Sequence, residues 1–131
     1  MATLLWIMLG GALGTGARYA LSGLAVLRWG EAFPWGTLLI NITGSFLISF
    51  FAGITGPGGR WLVHPTGRLF FVVGICGGYT TFSSYSFQTL KLAREGEWLL
   101  AGANVVGSNV CCLLAVWLGF LAASAINGQR S

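Results

Sequence analysis

Apolar residues fill four long stretches of the chain, and charged residues fall almost entirely between them. Three of the stretches contain no charged residue, and the first contains only Arg18; they are 1–27, 32–59, 69–90 and 98–129. About 20 mostly apolar residues are enough for a helix to cross a bilayer. The pattern therefore predicts an all-α membrane protein, in which residues 1–131 form a single domain of four transmembrane helices.

Turn residues between these stretches indicate where the helices begin and end. We expect a first helix over residues 3–27 and a second from Trp35, because Pro34 suits a helix start. The connection 55–66 is rich in glycine and proline. The sequence Glu95-Gly96-Glu97 predicts a tight turn before the fourth helix.

The third apolar stretch differs from the others, because its middle is polar and rich in glycine. It reads Gly77-Gly78-Tyr79-Thr80-Thr81-Phe82-Ser83-Ser84-Tyr85-Ser86. The glycine pair predicts a helix interrupted near Gly77. Backbone groups freed in this way are tolerated at membrane depth only if they are buried in protein or line a watery path. Broken helices of this kind indicate an ion or solute site.

Composition supports a membrane protein and excludes several other functions. The chain is 55% hydrophobic and only 8% charged, against about 25% charged residues in average globular chains. The net charge of +4 is spread over the helix boundaries, so we expect no nucleic-acid partner. The three cysteines lie in apolar stretches without metal-ligand spacing, which favours packed thiols. A signal peptide is the alternative for the N-terminus, but no Lys or Arg precedes Gly16 as that would require.

The basic residues are divided almost evenly between the two predicted sides of the membrane. One side carries Arg60, Arg68 and Arg130, and the other carries Arg28, Lys91 and Arg94, with Arg18 as a fourth if its side chain snorkels outward. The positive-inside rule needs an excess on one side. We therefore hypothesise dual topology, in which copies insert both ways and pair as an antiparallel homodimer.

Neutral polar side chains recur every four residues in two of the predicted helices. These rows are Asn41, Ser45 and Ser49 in the second helix and Asn104, Ser108 and Cys112 in the fourth. Residues at this spacing share a helix face. Small polar residues also join membrane helices, so packing remains the alternative for any one serine. Amide and hydroxyl donors suit a small anion, and so do the electropositive edges of aromatic rings, such as Phe82 and Tyr85.

Ionisable residues with a catalytic arrangement are missing from the sequence. The three carboxylates, Glu31, Glu95 and Glu97, all lie in predicted loops. Proton-coupled exporters usually bury an acid or a histidine in the membrane, and His64 lies in a loop. No nucleophile, base and orienting group converge, so we predict that the chain is not an enzyme. A small multidrug exporter and a non-transporting assembly subunit remain as alternatives.

The glycine-rich run resembles the GGxTTFSTFS signature of the Fluc (CrcB-type) fluoride channels. The segment Gly36-Thr37-Leu38-Leu39-Ile40-Asn41 is similar to the GTLxxN motif of that family, and Gly10, Gly14 and Arg18 fit its first helix. The likeness covers nearly the whole chain. It implies an antiparallel homodimer in the inner (plasma) membrane, with two pores that export fluoride passively and a structural sodium ion at the dimer centre.

The resemblance also implies a role for individual residues. The sodium ligands would be the backbone carbonyls of Gly77 and Thr80. The fluoride pore would be formed by Asn41, Phe82, Ser83, Ser84, Tyr85, Asn104, Ser108 and Cys112. Arg18 matches the first-helix arginine, for which a structural role, with the side chain snorkelling, is favoured over one at the pore mouth. The chain departs from the family at Tyr85, Cys112 and Gln88, where Phe, Ser or Thr, and Glu are usual.

Overall fold

The computed structural model describes residues 1–128, which form helices and connecting turns without a strand. Helix α1 is Ala2–Trp29 and α2 is Trp35–Thr55. The helical segment 65–79, here called α3, consists of Pro65–Leu69, a π-helical stretch Phe70–Cys76, and Gly77–Tyr79. Helix α4 is Phe82–Arg94 and α5 is Trp98–Gly128. Gln129, the end of the fourth apolar stretch, and Arg130, one of the counted basic residues, lie outside the described residues.

Three of the helices in residues 1–128 are long and apolar enough to cross a membrane, namely α1, α2 and α5. A helix of 28 residues, such as α1, is about 42 Å long at 1.5 Å per residue. This exceeds the roughly 30 Å hydrocarbon core of a bilayer. The predictions that the chain is helical and that it has helices able to cross a membrane are therefore confirmed for residues 1–128. Helices α3 and α4 are each too short to cross a membrane alone.

Local chemistry explains the ends of α3 and α4. Proline occupies the first turn of α3, and Nδ1 of His64 accepts the N–H of Thr66 at 3.1 Å, which caps the helix. At the end of α4, Gly96 has φ 79°, and the N–H of Glu97 donates to the Leu92 carbonyl at 2.8 Å. This is a Schellman motif, which favours glycine at this position because a residue without a Cβ atom adopts the left-handed conformation at no steric cost. The predicted turn after the third apolar stretch is confirmed.

Glycines allow α1 to pack closely on α3. A Cβ atom at Gly10 would lie 3.1 Å from Cα of Gly74, and one at Gly14 would overlap the Ile75 carbonyl. Gly10 and Gly14, four residues apart, therefore lie on the face of α1 that contacts α3. A second close contact joins α2 and α5, where Ser49 Oγ donates to the Val116 carbonyl at 2.7 Å. Ser49, a member of the predicted polar row, thus joins two helices.

The connections are gathered at opposite ends of the helices. At one end, Thr3 Oγ1 lies 3.3 Å from Thr66 Oγ1, and the Arg60 N–H donates to Asn127 Oδ1 at 2.8 Å. At the other end, a cavity of about 260 Å³ is lined by residues of the 30–37 segment and of the end of α4, among them Lys91. Basic residues therefore occur at both ends, as the sequence predicts.

Candidate functional site

The backbone leaves the helical conformation at Thr80 and Thr81, between α3 and α4. Thr80 has φ −84° and ψ 158°, and Thr81 has φ −152° and ψ 114°. The predicted position of the interruption is displaced, because Gly77 is helical, with φ −63° and ψ −38°. Gly78 also continues the helix, because it packs against α1: a Cβ there would lie 3.1 Å from Cα of Gly11. This glycine serves close packing, and the chain departs from the helix two residues later.

The side chain of Asn41 replaces the helical hydrogen bonds that Thr81 lacks. Asn41 Oδ1 accepts the Thr81 N–H at 2.8 Å, and Asn41 Nδ2 donates to the Thr81 carbonyl at 3.0 Å. A backbone group left unpaired in a buried site costs about 1–3 kcal/mol. One amide on α2 therefore satisfies both polar groups of the extended residue.

Two further side chains complete the hydrogen bonding around the extended residues. Thr81 Oγ1 accepts the Ser84 N–H at 3.2 Å, which caps the N-terminus of α4. Arg18 Nε donates to the Gly78 carbonyl at 3.0 Å. The Arg18 guanidinium thus contacts the backbone just before the interruption.

Two carbonyl groups near the interruption lose their usual helical donors. In a continuous helix, the Gly77 carbonyl would accept from the N–H of Thr81, which instead donates to Asn41. The Thr80 carbonyl would likewise accept from the N–H of Ser84, which donates to Thr81 Oγ1. Gly77 is exposed, and a Cβ there would meet nothing within 4 Å. Carbonyl oxygens are suitable ligands for a hard cation.

A cavity of about 320 Å³ adjoins the extended residues and is formed by α2, α3, α4 and α5. Seven of the residues predicted to form the pore or the cation site line it: Asn41, Gly77, Thr80, Phe82, Tyr85, Ser108 and Cys112. Ser45, from the polar row of α2, lines it as well. The lining polar side chains are amides, hydroxyls and two thiols, and none is a carboxylate. The cavity therefore presents neutral hydrogen-bond donors to any bound species.

The two aromatic residues of α4 lie side by side at this cavity. The ring centroids of Phe82 and Tyr85 are 5.4 Å apart and the planes meet at 50°. Phe82 is 77% exposed, so most of its ring is not covered by its own chain. The Tyr85 hydroxyl lies 3.1 Å from Nδ2 of Asn109 on α5. The extra hydroxyl of Tyr85 therefore has a hydrogen-bond partner.

The remaining predicted pore residues lie outside the cavity lining. Asn104 is only 2% exposed; its amide donates to Thr89 Oγ1 at 2.9 Å and its Oδ1 accepts from Ser108 at 3.2 Å. Asn104 thus lies behind the cavity lining and hydrogen-bonds to Ser108, which is part of that lining. Ser83 and Ser84 lie in the first turn of α4, where both hydroxyls neighbour Thr81 Oγ1.

Gln88 is placed away from this group of residues. It lines the 260 Å³ cavity at one end of the helices, and its Oε1 is buried without a hydrogen-bond partner among residues 1–128.

Among the cavity residues that the sequence analysis did not assign to the site are Gly44, Thr81 and Asn109. Asn109 follows Ser108 directly, so it lies off the row defined by the four-residue spacing. Gly44 is needed because a Cβ there would overlap Cγ2 of Thr80. That contact joins residues far apart in sequence, so the helical periodicity within one segment cannot predict it.

Side chains that usually bind metals do not cluster in the part of the chain that the structure describes. Residues 1–128 hold no group of three or more His, Cys, Asp or Glu side chains. A cation at the interruption would therefore depend on backbone carbonyls and neutral oxygens.

Comparison with known proteins shows which family the chain belongs to. Residues 5–120 match the family described as CrcB-like protein, Camphor Resistance (CrcB). The chain belongs to the CrcB-like family. The family resemblance predicted from the glycine-rich run is confirmed.

Several relatives of the chain carry the name fluoride-specific ion channel FluC. The relative from Opitutus terrae is 59% identical over 130 residues, which cover 99% of this chain and 98% of the relative. The relative from Methylocella silvestris is 56% identical and covers 96% of both chains. The relative from Rhodospirillum rubrum is 58% identical over 95% of this chain and 97% of its own length. This is a family of ion channels, so the prediction that the chain is not an enzyme is confirmed.

Proposed function

We propose that this CrcB-like protein is a channel that conducts fluoride selectively and passively, and that it lowers fluoride in the cytoplasm by export. The names of its relatives support this function. The observation that carries it is the cavity beside Thr80 and Thr81, where neutral donors surround an interrupted helix held by Asn41. A proton-coupled exporter would need a titrating group there, and no carboxylate lines this cavity.

The proposed topology has four crossings in one domain spanning residues 1–131. Helices α3 and α4 together form the third crossing, interrupted at Thr80 and Thr81. The location of the connections at opposite ends supports this path. Because basic residues occur at both ends, we propose that copies insert in both orientations in the inner (plasma) membrane and form an antiparallel homodimer.

Selectivity would follow from replacing the water around a small, strongly hydrated anion. Asn41 contributes to this because its amide nitrogen has two hydrogens and Thr81 accepts only one of them. Cys112 adds a thiol donor from α5, and Ser108 lines the same cavity with its hydroxyl hydrogen donated to Asn104. Phe82 and Tyr85 offer the positive edges of their rings, and the path continues past the hydroxyls of Ser83 and Ser84.

A structural sodium ion is proposed between the two subunits, bound by the Gly77 and Thr80 carbonyls of each. Both carbonyls are relieved of their usual helical donors, because Asn41 and Thr81 Oγ1 capture the N–H groups concerned. Gly77 is exposed on its own subunit, so a second copy has access to it. When bound, the cation would supply a positive field favourable to an anion.

Fluoride efflux from liposomes tests the proposed function. The purified protein is reconstituted into vesicles loaded with fluoride or chloride, and the released anion is followed with ion-selective electrodes. We expect rapid fluoride release and much slower chloride release. Chloride release as fast as that of fluoride would disprove the selectivity. The variant Phe82→Ile should suppress fluoride release and remain dimeric, and unchanged flux would exclude Phe82 from the pore.

Two measurements test the assembly separately. Accessibility of tags at both termini should reveal both orientations in the same membrane, whereas one fixed orientation would disprove dual topology. Replacing all sodium by a bulky organic cation should lower the activity or the stability of the dimer. Full activity and full stability after exhaustive sodium removal would disprove the cation site.

A further inference from the structure

The Asn109 amide has an orientation determined by the backbone beside it. Its nitrogen, Nδ2, lies 2.8 Å from the carbonyl oxygen of Val105 and 3.1 Å from the hydroxyl oxygen of Tyr85. A carbonyl oxygen accepts hydrogen bonds and cannot donate them. The atom facing Val105 must therefore be the NH₂ group, because the flipped amide would place two acceptors against each other.

This orientation determines the role of the Tyr85 hydroxyl. Since the same nitrogen reaches Tyr85, Asn109 donates and the hydroxyl oxygen accepts. A phenolic hydroxyl also has one hydrogen to donate. Among residues 1–128, Asn109 is its only hydrogen-bond partner, so the Tyr85 hydrogen is not used within the described chain.

Both residues lie at the cavity assigned to the anion. Tyr85 and Asn109 line it together with Ser108 and Phe82. The two hydrogens of the Asn109 amide are directed at Val105 and Tyr85, so this amide is not the group that faces an anion. The hydroxyl of Tyr85 has a hydrogen available, and it is held in place from α5.

We infer that Tyr85 donates its hydroxyl hydrogen to the permeating anion and that Asn109 is the positioning residue that orients this hydroxyl. The inference rests on the proposed fluoride channel and assigns a donor that the usual phenylalanine does not possess. Donation to Asn109 is excluded by the amide orientation, and the bond from Asn109 polarises the hydroxyl and strengthens it as a donor.

A double-mutant cycle in the same fluoride-efflux assay tests this pair. The variants are Tyr85→Phe, Asn109→Ala and the double variant, with Val110→Ala as a control for a neighbouring truncation on α5 that does not line the cavity. Tyr85→Phe removes one oxygen and keeps the ring, so it tests the donor even if Asn109→Ala lowers stability. We expect each single variant to slow fluoride release about three- to tenfold, as expected for one lost hydrogen bond. The double variant should be no slower than Tyr85→Phe alone.

The outcomes separate the pair from the channel function itself. Fluoride release at the wild-type rate in Tyr85→Phe would overturn the inference while leaving the channel intact. If Asn109→Ala slows release by the same factor in the wild type and in the Tyr85→Phe variant, Asn109 does not act through the hydroxyl, and its positioning role is wrong. If the wild-type protein releases no fluoride, the proposed function fails and the inference fails with it. Val110→Ala should release fluoride at the wild-type rate. If it slows release as much as Asn109→Ala does, the effect of Asn109→Ala is not specific to its bond with Tyr85, and the positioning role is wrong.

Discussion

Two non-helical segments of this protein are each held by one asparagine amide from another helix, but they lie in different surroundings. Asn41 on α2 binds the N–H and the carbonyl of Thr81 in the middle of the helices. Asn127 on α5 accepts the N–H of Arg60 at 2.8 Å in the loop that follows α2, and donates to the carbonyl of Gly53 at 3.1 Å in α2 itself, near the end of the helices. Each amide uses both its oxygen and its nitrogen, but the groups that could replace it differ between the two places.

Water can replace a lost partner at the end of the helices and has little access to their middle. At the Asn127 site, Arg60 is exposed, and a backbone group there can turn to solvent. At the Asn41 site, the extended residues are packed between α2 and the cavity. The comparison teaches that a helix interruption packed among other helices depends on a specific side chain, whereas a surface loop gains only modest stability from such a bond.

The largest effect is expected for Asn41→Ala. Both polar groups of Thr81 would lose their partner, at about 1–3 kcal/mol each, and the cavity would lose a donor. Fluoride efflux should fall by at least about tenfold, and thermal unfolding in detergent should shift downward. The matched variant Asn127→Ala removes the same amide elsewhere. If fluoride flux is equal in Asn41→Ala and the wild type, the Asn41 amide is no more important for the channel than the Asn127 amide, and the comparison fails.

A second substitution acts on the interruption through packing alone. In Gly44→Ala the new Cβ would overlap Cγ2 of Thr80 and lie 3.1 Å from the Tyr79 ring. Overpacking of this kind costs about 1–3 kcal/mol, so both fluoride flux and thermal stability should fall. Gly102→Ala is the control, because a Cβ at Gly102 meets nothing within 4 Å. If the two alanine variants behave alike, close contact at Gly44 does not hold the interruption.

A smaller effect is expected from loss of the cap of α4. Thr81→Val removes the hydroxyl that accepts the Ser84 N–H, and helix caps contribute about 1 kcal/mol. The melting temperature should fall slightly, while Asn41 still holds the backbone of Thr81. Ser86→Ala, which removes a hydroxyl on the same helix that does not serve as a cap, should melt like the wild type. A loss of stability as large as that in Asn41→Ala would show that the cap, and not the amide, holds this segment.

The smallest effect is expected for Asn127→Ala itself. Solvent can bind the released Arg60 N–H, so the cost should be about 1 kcal/mol or less. Fluoride flux per amount of folded protein should be unchanged, because Asn127 lies away from the cavity. Flux and thermal stability measured together on this variant and on Asn41→Ala complete the comparison. A tenfold loss of flux here would mean that the end of the helices is coupled to the pore.

Much of this architecture was predictable from local patterns in the sequence. Charge-free stretches identified the helices because bilayer burial excludes charge, and the Glu95-Gly96-Glu97 turn followed from the left-handed preference of glycine. The glycine-rich run identified the segment where the helix is interrupted. The interruption itself lies at Thr80 and Thr81 and not at Gly77, because Gly78 is held in the helix by close packing on α1.

The contacts that make the site depend on residues far apart in the chain, and only the tertiary structure decided them. Asn41 was a candidate donor from its spacing, yet its bonds to Thr81 join positions 40 residues apart. Ser49 shares the spacing of Asn41 but joins α2 to α5, and Asn109 lies off the periodic row and still reaches Tyr85. Periodicity places residues on one face of one helix. The neighbour that meets that face is determined by how the helices pack.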